Sequence, residues 1–198
     1  MAGRRVIAGV VLAAGLSRRM GRRKLLLDLG GRPVIRLAVE GVAAAGVDDL
    51  VVVMPPDHTE LAAALTGIRH RVAVNPAPET GQAGSVVAGI AALGPAVRAA
   101  LIALGDQPAV PRAVPVGLLT AYRATASAIV APRYREGRGN PVLFDVSVFP
   151  ELLRLAGDAG ARGVIDADPA RVALVSFDLP MPPDIDTPED YETLRGRL

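Results

Sequence analysis

Apolar runs and helical periodicities alternate along the chain. Val6 to Ala13 is an unbroken apolar run ending in a glycine turn, the pattern of a central strand buried on both faces. Pro33 to Ala45 has helical spacing, with proline in its first turn and Gly46 just past its end. Leu50 to Met54 reads as a second buried strand, stopped by Pro55 and Pro56. Asp57 to Leu65 reads as a helix opened by an Asp57–Glu60 capping box. Val72 to Asn75 is a short strand, and Ser85 to Leu93 a helix with Ser85 as its cap and Gly94 at its end. Ala100 to Leu104 is another buried strand, running into the turn Gly105-Asp106-Gln107-Pro108. Val114 to Thr125 is helical; Ala128 to Ala131 and Pro141 to Phe144 are short strands around a Gly/Arg turn. Val146 to Leu155 and Ala161 to Ala167 read as helices and Val172 to Ser176 as a strand. The last helix starts at Pro188, behind a Thr187–Asp190 capping box.

Strands alternating with helices predict an α/β fold with a mostly parallel sheet and right-handed crossovers. The 198 residues show no repeat, no low-complexity linker and no boundary, so one domain spanning residues 1–198 is expected. Aromatics are only 3% of a chain that is 51% apolar, so the core must be built from Ala, Val, Leu and Ile. The absence of cysteine excludes disulfides, thiolate zinc sites and a cysteine nucleophile. His58 and His70 lack metal-ligand spacing, and neither is assigned a role. The apolar start breaks at Gly15 into a basic loop, which reads as a first strand rather than a signal peptide. No segment has the length of a bilayer span, so a cytoplasmic protein without a membrane partner is expected.

In a parallel α/β sheet, ligands bind beyond the carboxyl ends of the strands, and those loops carry the unusual chemistry here. The first loop runs from Leu12, Ala13, Ala14 and Gly15 through Ser17, Arg18 and Arg19 to Arg22, Arg23 and Lys24. Small residues let the backbone approach a ligand, and exposed N–H groups in such a turn form an anion nest. Arg19 and Lys24 then stand where a triphosphate would lie, one as a planar fork and one as a point charge. The loop is neither a Walker A motif nor a dinucleotide fingerprint. A solvated basic loop or a nucleic-acid patch is the competing reading, and the net charge of only +2 speaks against nucleic acid.

Asp106 ends an apolar strand, a good place to hold Mg²⁺ but equally an ordinary Gly-Asp turn. Asp184 and Asp186 are two apart in an extended segment and face one side, as a second part of a metal site or as solvated acids before a helix. Asn75, Gly81 and Ser85 offer polar groups to a base or sugar, with N-capping by Ser85 as the alternative. Asn140, Asp158 and Arg162 lie in glycine-rich polar turns.

Together these segments resemble a known family. LAAGLSRRMGRRK is similar to the opening L-A-x-G-x-S-x-R-M-G-x-x-K of the MobA-like nucleotidyltransferases. GDQP, GNPVLF, GDAGAR and DIDTPEDY resemble that family's later motifs in the same order, from Val6 to Leu194. The resemblance is strongest to the molybdenum cofactor cytidylyltransferase branch. It implies a three-layer α/β/α sandwich with a Rossmann-like, mostly parallel sheet of the nucleotide-diphospho-sugar transferase type. It implies CMP transfer from CTP to the phosphate of molybdopterin, with Mg²⁺ as cofactor and release of pyrophosphate. Under it Leu12, Ala13, Ala14, Gly15 and Ser17 line the nucleotide with Asn75, Gly81 and Ser85. Arg19 and Lys24 bind the triphosphate and act with Asp106 as the catalytic set. Asp106 holds the metal with Asp184 or Asp186, and Asn140, Asp158 and Arg162 face the acceptor.

Two departures qualify the match. The acceptor-side turn reads Gly-Asn-Pro where this branch often has Gly-His-Pro, which leaves the acceptor open. The guanylyltransferase branch reads L-A-G-G, whereas Ala14 stands at the third position here, and its methyl group narrows a base pocket toward a pyrimidine. The alternatives are GTP-dependent guanylyl transfer, a sugar-phosphate acceptor, or a non-catalytic nucleotide-binding protein that assists molybdoenzyme maturation. The reading carries a monomer, no nucleic-acid partner, and a client molybdoenzyme as recipient.

Overall fold

The computed structural model describes residues 5–16, 20, 23–157 and 160–196. Eight strands form one sheet: β1 (Val6–Leu12), β2 (Asp49–Met54), β3 (Arg71–Val74), β4 (Val97–Leu104), β5 (Ile129–Tyr134), β6 (Gly137–Arg138), β7 (Val142–Asp145) and β8 (Val172–Ser176). The order is β3-β2-β1-β4-β7-β5-β6, with β8 also pairing β5. β3, β2, β1 and β4 are mutually parallel, β7 runs antiparallel between β4 and β5, and β8 is parallel to β5. The sheet is therefore mostly parallel, as the strand–helix alternation predicts.

The helices are α1 (Val34–Ala43), α2 (Thr59–Ala64), α3 (Gln82–Ala91), α4 (Ala113–Thr125), α5 (Phe149–Leu152), α6 (Arg162–Ala167) and α7 (Pro188–Arg195). They cover the sheet on both faces. Ile35, Val39, Leu118, Tyr122 and Tyr191 pack with one face, and Val86, Ile90, Phe144, Leu152 and Ile165 with the other. Two glycines set how closely the layers approach. A Cβ on Gly9 would lie 2.5 Å from Val42 of α1, and one on Gly89 of α3 would lie 2.5 Å from Val10 of β1. Glycine at those positions lets the Val42 and Val10 side chains pack directly against backbone, and a methyl group there would overpack the core by about 1–3 kcal/mol. Among the described residues no helix is long and apolar enough to cross a membrane.

Several local expectations change. Asp57 and Glu60 form no capping box: α2 starts at Thr59 without a side-chain cap, and both acids pair with Arg23. Arg23 arrives from the first loop, which local spacing cannot show. Helix α3 starts at Gln82, after Gly81 at φ 105°, so Ser85 lies inside the helix rather than at its cap. The segment expected as one helix from Val146 splits into a 3-10 turn, Val146–Val148, and α5. The Asp145 carboxylate caps that turn by accepting from Ser147 N. The Thr187–Asp190 capping box is present, with Pro188 in the first turn of α7.

Strands β2 and β3 lie to one side of β1 and β4 to the other, so the sheet's topological switch falls between β1 and β4. A crevice opens beyond the carboxyl ends at such a point. Leu12 and Leu104 face each other there in register. The reversed direction of β7 adds a third contribution: Val142 pairs with Ile102, so the residues leading into β7 arrive at the same edge.

Candidate active site

The switch point gathers residues from four separate loops. Leu12 O accepts from Gly105 N at 2.9 Å, which carries the β1–β4 ladder one step into the loops. Asp106 follows at once. Its backbone oxygen accepts from Ile185 N at 3.1 Å, and Ile185 is fully buried. That anchor pins the Asp184–Asp186 segment beside Asp106. The Asp190 carboxylate of the capping box holds the segment from the other side, accepting from the N–H groups of Asp186 (3.1 Å) and Thr187 (2.8 Å).

Lys24 completes the cluster. It opens a 3-10 turn, Lys24–Leu26, that is held down by buried Leu25. The Lys24 ammonium donates to Asp106 Oδ2 at 2.6 Å and to Asp186 Oδ1 at 2.9 Å. Burial alone would pull this lysine down, but the Asp106 and Asp186 carboxylates outweigh it and hold it above its ordinary value. Asp184 is pushed up, first by burial and then by the negative charges of Asp106 and Asp186. The Gln107 side chain and Lys24 offset only part of that. Four charged groups thus share one edge, and the acids outnumber the cation.

Two cavities meet at this edge. One, of about 220 Å³, is lined by Leu12, Ala14, Gly15, Lys24, Gly81 and Ser85 together with Asp106. The other, of about 480 Å³, has Asn140, Arg162, Arg138 and Asp184 on its polar walls and Val86, Ile102, Phe144 and Ile165 on its apolar ones. Most residues the sequence assigned to the nucleotide therefore line the first cavity, and Asn140 and Arg162 line the second. Ala13 is buried and faces a third, smaller recess with Gly15, Leu16 and Arg23. Asn75 stands behind the first cavity: its Nδ2 donates to Ser85 Oγ at 3.1 Å and its Oδ1 accepts from Ala77 N. It orients Ser85 instead of lining the cavity. Ser17, Arg19 and Asp158 lie outside the described residues.

The acids are disposed for a hard cation. Among the described residues no three acidic or histidine groups converge to hold a metal alone. Mg²⁺ usually takes one or two carboxylates and completes its octahedron with phosphate oxygens and water. Asp106 with Asp184 or Asp186 could supply such a pair of carboxylates. Reading the sequence missed Arg138, whose guanidinium donates to Asp166 Oδ1 of α6 at 2.6 Å on the second cavity's wall. Its signal was only a basic residue in a turn whose glycines already had an explanation.

The chain is similar in sequence and fold to known proteins. Residues 9–173 match the MobA-like NTP transferase domain. The purine catabolism protein PucB of Bacillus subtilis (strain 168) is 32% identical over 203 residues, covering 97% of each chain. A probable molybdenum cofactor guanylyltransferase of Natronomonas pharaonis is 38% identical over 84 residues, 41% of each chain. The crystal structure of Rv0371c from Mycobacterium tuberculosis H37Rv superposes with a TM-score of 0.89 at 32% identity, over 97% of this chain and 98% of that one. A second structure of that protein, in complex with manganese, gives 0.85 at 30% identity over 97% and 99%. The chain belongs to the MobA-like NTP transferase family and is a nucleotidyltransferase of that type.

Proposed function

We propose that this protein transfers CMP from CTP to the phosphate of molybdopterin and releases pyrophosphate, with Mg²⁺ as the metal. The observation that carries the reading is the Lys24–Asp106–Asp186 cluster at the meeting of two cavities, the smaller lined by Leu12, Ala14 and Gly15 and the larger by Asn140 and Arg162. The small residues of the first loop admit the nucleotide, and Ala14, 2% exposed on that cavity, places a methyl group against the base. Asp106 with Asp184 or Asp186 would hold the metal, in keeping with the manganese complex of the mycobacterial relative. When bound, the metal supplies charge neutralisation and orientation for the triphosphate.

This chain's own residues do the rest. Lys24 and Arg19 offset the repulsion between two anionic reactants and the charge that builds on departing pyrophosphate. Asn140 and Arg162, which line the larger cavity, hold the acceptor, and Asp158 is assigned to the same task from the sequence alone. The apolar walls Val86, Ile102 and Phe144 keep water from competing for the nucleotide. No covalent intermediate is required, so positioning and charge stabilisation account for the rate. A nucleoside triphosphate and Mg²⁺ are cytoplasmic reactants, and a client molybdoenzyme would receive the product.

One observation favours a second reading. The relative from Natronomonas pharaonis is named a probable molybdenum cofactor guanylyltransferase, and in this second reading GTP replaces CTP with the same residues in the same roles. Pyrophosphate release, measured across the four nucleoside triphosphates with and without molybdopterin, separates the readings. Release that requires both CTP and molybdopterin is expected. A preference for GTP transfers the case to guanylyl transfer, and CTP binding without release leaves an accessory nucleotide-binding protein.

A further inference from the structure

Three residues, Leu12, Gln82 and Leu104, line both the nucleotide-side and the acceptor-side cavities. Gln82 is the polar one among them. A bond between a nucleotide in one cavity and an acceptor in the other has to form along this shared seam. Gln82 is the first residue of α3, directly after Gly81, and it is exposed to the crevice. It caps nothing, and no described residue hydrogen-bonds to its side chain. An exposed amide without a hydrogen-bond partner among the described residues, on the seam between the two cavities, lacks a folding role.

Its position is nevertheless fixed. Ala83 N donates to Gly157 O at 3.2 Å, which ties the start of α3 to the loop before α6. On that loop Gly160 has φ 52° and lies flat against the Gln82 side chain. A Cβ on Gly160 would fall 2.2 Å from Gln82 Oε1 and 3.0 Å from its Cδ. Glycine at that point leaves room for the amide to lie along the seam, and any larger residue displaces it.

We propose that Gln82 is a catalytic residue of the nucleotidyl transfer, donating a hydrogen bond from its amide to a non-bridging oxygen of the α-phosphoryl group. This rests on the nucleotidyltransferase reading above and adds a residue to it. In the step, an oxygen of the acceptor phosphate dianion supplies the electron pair for the new bond to the α-phosphorus. The bond from that phosphorus to the bridging oxygen of the β-phosphate breaks, and its electron pair leaves with pyrophosphate. No proton changes hands. Negative charge gathers on the α-phosphoryl oxygens between the two anions, and a neutral donor stabilises it there without holding either product by charge.

The test is pyrophosphate release from the four nucleoside triphosphates with Mg²⁺, with molybdopterin or with water alone as acceptor. Gln82→Ala is expected to lower kcat about 100-fold, with KM for the nucleotide changed less than about threefold. Gln82→Glu, of the same shape but with a charge facing the phosphates, should lose at least as much. Gly160→Ala should lower kcat by displacing the amide, and adding it to Gln82→Ala should cost little more, because both remove one contact. Thermal unfolding of each variant near that of the parent establishes that the fold is kept; Gln82 is exposed at a helix end, where alanine is well tolerated. If the parent releases pyrophosphate and Gln82→Ala matches its kcat, Gln82 has no catalytic part and the proposal falls while the transfer reading stands. A loss in KM alone, or full additivity with Gly160→Ala, also overturns it. If the parent releases no pyrophosphate from any nucleotide with either acceptor, the transfer reading falls and takes this proposal with it.

Discussion

The Lys24 ammonium lies 2.6 Å from Asp106 Oδ2, across 82 residues of chain, and it binds Asp186 at the same time. Lysine and divalent cations compete for the same oxygens, because both neutralise clustered carboxylates. Lys24→Met leaves Asp106 and Asp186 without the ammonium that joins them. The variant is expected to lose about 1–3 kcal/mol of stability, below the cost of breaking a fully buried pair because both carboxylates keep some contact with solvent. Added Mn²⁺ should restore more of the melting temperature in this variant than it adds to the parent. Equal Mn²⁺ responses in thermal unfolding would show that the metal does not use these acids. Asp106→Ala should lower Mg²⁺-dependent pyrophosphate release about 10²–10³-fold, and near-normal release would refute its metal role.

Ala14 tests the choice of base. It is nearly fully buried and stands beside Gly15 on the nucleotide-side cavity. One methyl group in a tight pocket is worth about 1–3 kcal/mol of discrimination. Ala14→Gly should therefore raise kcat/KM for GTP relative to CTP by at least about tenfold. A parent enzyme that already prefers GTP would remove the steric argument.

The central strands were legible because β1, β2 and the end of β4 are buried on both faces, so they read as apolar runs. The direction of β7 was not, since alternation of side chains looks the same whichever way a strand runs. The acids at 106, 184 and 186 stood out by their place at strand and helix ends. Lys24 stood out too, as a phosphate contact, but its ion pairs with Asp106 and Asp186 did not, because it meets Asp186 from 162 residues away and no local spacing records it. The same blindness made Asp57 and Glu60 look like a helix cap, when Arg23 claims both. Ser85 lines the smaller cavity from inside α3, where the sequence also offered it as a cap, and its tie to Asn75 needed β3 and α3 to be packed side by side.

If the acceptor occupies the larger cavity, Arg138 and Asp166 should affect its binding and not the nucleotide's. Their ion pair spans the β6 strand and α6, on the wall of the larger cavity and away from the nucleotide loop. An exposed pair of this kind adds little stability. Arg138→Ala should then leave the free energy of unfolding within about 1 kcal/mol of the parent's while raising KM for the acceptor. KM for CTP should not move. A rise in the KM of both substrates would mean that the pair shapes the site as a whole.

Tyr122 and Asp145 make the fold's stability depend on pH at both ends of the scale. The Tyr122 hydroxyl donates to Asp145 Oδ2 at 2.5 Å, tying α4 to the end of β7. Burial opposes the Asp145 charge, but the Tyr122 hydroxyl and Ser147 outweigh it and hold the carboxyl below its ordinary value of 3.8. Its stabilising part is therefore present above pH 3.8 and is lost as pH falls through the lower value of the folded protein. Tyr122 moves the other way: burial and then Asp145 push it from 10.0 up to about 12. Its part is complete below pH 10 and is lost as pH rises toward 12. Tyr122→Phe removes the hydroxyl and keeps the ring that fills the core. It should cost about 1–2 kcal/mol near neutrality, measured by denaturant unfolding. The difference from the parent should shrink below pH 3.8 and again above pH 10, where the parent loses the same bond. A deficit that stays constant from pH 3 to pH 11 would assign the loss to packing and not to this hydrogen bond.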